Sequence, residues 1–158
     1  MTQPAYVNAL EAAYGPPSQA AFGSAVFYDR TSASADLEQA ALAKYRYFVG
    51  ELWERYGEGA WLSAWREIYA RPPEATADII AKLRSISDRA ARLSVSLILD
   101  EIENAEQARA ALSNVFDDPA VLALSVYTIG DGAALSGLLI AGQRAETDEA
   151  VFLVFLLD

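Results

Sequence analysis

The sequence predicts an α+β protein, with an N-terminal helical region of four or five helices followed by a C-terminal three-stranded antiparallel meander. Three observations carry this reading. Between Leu37 and Phe116 apolar residues recur three or four positions apart, the spacing of one helix face. From Glu74 to Asp118 neither Gly nor Pro interrupts the chain. After Pro119 the apolar pattern shortens to the period of a strand, and glycines separate the apolar runs. At 158 residues the chain has the length of one domain. Residues 1–118 then form its mainly helical part, and residues 119–158 add the meander to the same core.

The elements follow in order. Tyr6, Val7, Leu10 and Tyr14 suggest a short helix stopped by Gly15-Pro16-Pro17. Ala25 to Tyr28 reads as a short strand, and Thr31 to Ala35 as a small-residue loop. Asp36 with Gln39 has capping-box spacing, and Leu37, Ala41, Tyr45, Phe48, Leu52 and Tyr56 then form one stripe up to Gly57. A second helix is expected from Ala60 to Arg71, ended by Pro72-Pro73, with Pro73 opening the next one. Ile79, Leu83, Ile86, Ala90, Leu93 and Leu97 fit one heptad template, which predicts a long helix from Glu74 to Asp118 with a break near Asn104. Leu93 to Leu99 also alternates as a strand would. The helix is preferred, because nothing between Asp88 and Leu93 would turn the chain. Leu122–Ile129, Leu135–Gly142 and Val151–Leu157 are the three strands, joined at Gly130-Asp131-Gly132 and across Ala145 to Glu149. Gly137 and Gly142 mark bulges or close packing.

The third strand is apolar on both faces, so both faces need cover. Burying one Phe or Leu is worth about 1.5–3 kcal/mol, against a net stability of about 5–15 kcal/mol. The cover is either helices on both sides or a second subunit. A homodimer through Val151–Leu157 or through the long helix is therefore one expectation.

Composition excludes much chemistry. The chain has no Cys and no His, which removes disulfides, thiolate nucleophiles, imidazole bases and most transition-metal sites. No glycine-rich phosphate loop or nucleophile elbow is present. The net charge is −10, which argues against direct nucleic-acid binding. No basic, apolar leader opens the chain, and its longest apolar run, Ala150 to Leu157, falls far short of the roughly 20 residues of a membrane span. The expected location is cytoplasmic, with no membrane contact.

The charge is unevenly distributed. Residues 1–92 carry ten basic and eleven acidic side chains, whereas residues 93–158 carry two basic and eleven acidic. A cationic run, Lys82, Arg84, Arg89 and Arg92, precedes an anionic one, Asp100, Glu101, Glu103 and Glu106. The latter suits a basic protein partner. Eight of the seventeen aromatic residues lie between Tyr45 and Tyr69. Tyr47 and Trp53 fall off the core stripe, which makes them candidate partner contacts. Glu51, Glu54 and Glu58 share a helix face, and Asp117 adjoins Asp118, but ion pairing and turns account for these carboxylates as well as Mg²⁺ or Ca²⁺ would. No catalytic residue, metal ligand or cofactor is assigned.

The functional expectation is a non-enzymatic protein-interaction module of adaptor, inhibitor, immunity or chaperone type. Its partner-binding residues are Tyr47, Trp53, Asp100, Glu101 and Glu103. The alternative is a small-molecule-binding protein or a carboxylate-based enzyme, Mg²⁺-dependent in one form, with a pocket between helices and sheet.

Overall fold

The computed structural model describes residues 4–17, 23–30, 37–72, 77–131, 135–144 and 149–157. The Asp36 cap, the Thr31–Ala35 loop, the Pro73 helix start, Gly132 and the connection at residues 145–148 lie outside them. The described residues form seven helices and a five-stranded antiparallel sheet. This overturns the expected division into helical and meander regions, because strands occur throughout the chain.

The last three strands, β3 (Val121–Gly130), β4 (Ser136–Arg144) and β5 (Glu149–Leu157), pair in sequence. They are the centre of the sheet and not the whole of it. Strand β1 (Gly23–Arg30) pairs with β5 from Gly23 opposite Leu156 to Arg30 opposite Glu149. Strand β2 (Arg66–Ala70) pairs with β3, with a bulge at Ile68. The spatial order is β1-β5-β4-β3-β2.

Strand alternation then makes two cores. Val26, Leu124, Val126, Leu138, Ile140, Val151 and Leu153 pack with α1 (Ala5–Tyr14), α5 (Ile79–Arg84), α6 (Arg89–Leu99) and α7 (Ala105–Phe116). Phe27, Tyr127, Ile129, Leu139, Phe152, Val154 and Leu156 pack with α2 (Leu37–Val49), α3 (Leu52–Tyr56) and α4 (Glu58–Ser63). Helices thus pack on both faces of β5 within one chain. Packing is close both within the sheet and between sheet and helices. A Cβ on Gly137 would meet the Phe155 carbonyl oxygen at 1.8 Å, and one on Gly142 would meet the Phe116 ring at 2.9 Å. Neither glycine marks a bulge, since β4 keeps its register on β5 throughout.

Three helical expectations are corrected. The helix expected to run to Tyr56 breaks at Gly50, whose φ of 67° leaves the helical region and separates α2 from α3. The helix expected from Ala60 to Arg71 is α4 followed by β2. Ile68 and Tyr69 favour a strand, and pairing with β3 fixes it. The long helix from Glu74 divides into α5, α6 and α7. Ser85 turns back, its Oγ donating to the Lys82 carbonyl at 2.7 Å, and Asp88 caps α6 by accepting from the Ala91 N–H at 3.0 Å. Asn104 begins α7 in the left-handed conformation (φ 57°, ψ 46°), so the expected break there is present. Leu93 to Leu99 is helical. Among the described residues no helix is long and apolar enough to cross a membrane.

Candidate functional site

The acidic corner is built by the end of α6 and the start of α7. Tyr14 anchors the end of α6 from below, its buried hydroxyl donating to the Ile98 carbonyl at 2.8 Å. Arg109, one turn into α7, donates to the Leu99 carbonyl at 2.6 Å and so satisfies a free carbonyl at the helix end. Asp100 follows and accepts a bidentate pair from Arg84 at 2.9 and 3.0 Å, with Arg109 at 3.5 Å. The hydrogen bonds from Arg84 hold the Asp100 carboxyl below the usual carboxylate range.

Beyond Asp100 the charges are less constrained. Glu101 is exposed and accepts from Ser96 Oγ at 3.4 Å. Glu103 and Glu106 are exposed, with no ion pair among the described residues. Arg84 and Arg109 are already engaged by Asp100 and the Leu99 carbonyl. The corner therefore presents a net negative surface. It adjoins an open groove of about 610 Å³ between α1 and α7, with Ala9 and Ala12 on one wall and Glu103, Asn104, Gln107 and Asn114 on the other.

The five expected partner residues do not form one surface. Asp100, Glu101 and Glu103 share this corner. Tyr47 and Trp53 belong to the helical layer across the sheet. Tyr47 is 50% exposed and meets Phe27 edge-on at 5.8 Å. Trp53 is only 4% exposed. It stacks with Trp61 at 6.2 Å and meets Tyr45 edge-on at 5.2 Å, so its placement is that of a core residue.

The remaining carboxylates have structural partners or stand apart. Asp117 joins three elements, accepting from Arg71 Nη2 at 2.7 Å and from the Ile79 N–H at 2.8 Å. Asp118 accepts from the Ala120 N–H at 2.8 Å and faces Arg144 at 3.3 Å. That backbone bond, helped by Arg144, holds its carboxyl below the usual range. Asp131 accepts from the Leu135 N–H at 3.0 Å across the β3–β4 turn. Glu58 opens α4 and so leaves the helix of Glu51 and Glu54. Among the described residues no three carboxylates converge as a metal site.

A second cleft, of about 410 Å³, opens where β3 and β4 meet the segment before β2. Trp65, Arg66, Thr128 and Ser136 line it. Trp65 stacks on Tyr127 at 4.3 Å, and Thr128 Oγ1 donates to the Ala64 carbonyl at 2.6 Å.

The heptad template also misplaced one exposed residue. It puts Leu93 in the core, whereas Leu93 is 55% exposed. The break at Ser85–Asp88 resets the helix phase, and α6 buries Ala91, Ser94, Val95, Ile98 and Leu99. The signal was present in the sequence, since Ala91, Val95 and Ile98 are themselves spaced four and three. Comparison with protein-family models, curated proteins and solved structures finds no match to this chain.

Proposed function

We propose that this chain is a non-enzymatic protein-interaction module, of adaptor, inhibitor, immunity or chaperone type, that engages a basic surface through the α6–α7 corner. One observation carries the reading. Glu101, Glu103 and Glu106 are exposed and make no ion pair among the described residues, while Arg84 and Arg109 are held by Asp100 and the Leu99 carbonyl. A surface so arranged attracts cationic side chains on a partner. The reading includes a cytoplasmic setting and no cofactor.

The test compares the native chain with the double substitution Glu101→Lys and Glu103→Lys as bait for proteins of the source cell. The native bait is expected to retain a stoichiometric protein that presents basic side chains at low salt, with recovery falling as salt rises and lost in the variant. Equal recovery by both baits overturns the reading. A second reading, small-molecule binding, draws on the Trp65 cleft, whose volume of about 410 Å³ falls within the usual range for ligand sites. It expects a saturable rise in Tm in a metabolite screen, with no protein captured.

A further inference from the structure

The outward face of α6 carries a charge pattern that helix stability does not explain. Arg89, Arg92, Leu93 and Asp100 are exposed, and Ser96 and Leu97 are half-buried. At about 100° per residue these six fall within a sector roughly 140° wide, opposite the buried residues. Cations are favourable near a helix C-terminus and anions near its N-terminus. Beyond the Asp88 cap, α6 has the reverse: Arg89 and Arg92 in its first turns, Asp100 and Glu101 at its end. Lys82, Arg89 and Arg92 make no ion pair among the described residues. Between the two poles lies Leu93, the most exposed large hydrophobic side chain among the described residues.

A face that runs basic, apolar, acidic is its own complement when turned end for end. We propose that the partner of the acidic corner is a second copy of this chain, paired through antiparallel α6 helices about a twofold axis near Val95. The proposal rests on the preceding reading of that corner and names its partner. In this register Leu93 opposes Leu97 of the second copy, and Arg89 opposes Glu101. The twofold axis supplies each contact twice. A uniformly basic partner lying along the face would set its cations against Arg89 and Arg92, and the second copy does not. One helix pair buries less than a standard interface of about 1,600 Å², so the association is reversible and sensitive to salt.

Sedimentation equilibrium of the full chain at low and high salt tests this. The native chain is expected to show concentration-dependent dimerisation that weakens with salt. R89E/R92E and E101R/E103R should each weaken it at least about tenfold. Their equimolar mixture should restore it, because every reversed pole then meets a reversed partner. R89E/R92E puts acidic side chains in the first turns of α6, where the helix dipole favours them, so it should be folded and no less stable than the native chain. Leu93→Ser is an independent variant, expected to dimerise more weakly with unchanged circular dichroism. A native chain that stays monomeric, a mixture that does not associate, or undiminished dimerisation of Leu93→Ser overturns the proposal. A monomeric chain that still captures another protein, one with a basic surface, through Glu101 and Glu103 refutes the pairing but leaves the interaction module standing. A monomer with no such capture refutes both.

Discussion

Tyr45 shows how one side chain can serve packing and hydrogen bonding at once. Its sequence spacing marks it as a stripe residue of a helix, and it is fully buried. Its ring meets Trp53 edge-on at 5.2 Å and stacks with Trp65 at 5.6 Å. The hydroxyl accepts from the Gly130 N–H at 3.0 Å and lies 2.8 and 3.0 Å from the Gly130 and Trp61 carbonyls. No pattern of apolar residues could reveal this bond, because Gly130 is 85 residues away. Tyr45→Phe keeps the ring and strands a buried donor, so it should cost about 1–3 kcal/mol. Burial also pushes the Tyr45 phenol above its ordinary value of 10.0. The folded state holds the neutral form. The stabilisation is therefore complete below pH 10 and is lost as pH rises towards the folded-state value. Urea unfolding at neutral pH and across the alkaline range should show the variant less stable at neutrality, with a shallower alkaline decline. A change under about 0.5 kcal/mol with an unaltered alkaline slope would refute this role.

Element identity was legible where local chemistry decided it and obscure where pairing did. The first helix, the Gly57 stop and the three C-terminal strands carry caps, glycines and alternation that act locally. Strand β2 does not. Trp61, Trp65 and Tyr69 mimic a helix stripe, and only the partner strand β3 makes Arg66–Ala70 extended. The α5–α6 break lacks Gly and Pro, and depends on Ser85 and on Asp88 as a cap. That loss of phase also hid Leu93. The acidic corner was legible as charge, because residues adjacent in sequence stay adjacent at a helix end. The separation of Tyr47 and Trp53 from it depends on the sheet between them. Asp117 belongs to this scale because it ties the end of β2, the start of α5 and the end of α7. Its partner Arg71 has a side chain only 7% exposed and donates a second bond, 2.6 Å, to the Phe116 carbonyl. Asp117→Ala leaves that guanidinium without its counter-charge and the Ile79 N–H without its acceptor. The expected loss is about 3 kcal/mol. Asp118→Ala, at a carboxylate 38% exposed, should cost clearly less. Chemical denaturation of the two variants compares them directly, and equal losses would refute the tie.

At the scale of the whole molecule, the apolar run of β5 foretold that both its faces would be covered, but not by what. The cover comes from segments remote in sequence. Residues 23–30 reach the sheet beside residues 149–157, and two separate sets of helices close the two sides. Such an arrangement makes the last strand the keystone of both cores. Val151 and Leu153 complete one, and Phe152, Val154 and Leu156 complete the other. At about 1.5–3 kcal/mol for each buried large side chain, these five contribute on the order of the net stability of a typical domain, about 5–15 kcal/mol. Without β5, strand β1 loses its sole partner in the sheet order, and β4 acquires an open edge beside two uncovered cores. A chain ending at Arg144 should therefore show no cooperative urea transition and no protected amides in β1, whereas the full chain unfolds in one step. Adding a peptide of residues 145–158 should restore protection in β1 and β4 together, because the strand returns the partner of both. A cooperative transition in the shortened chain alone would show that the helical layers fold without the strand they enclose.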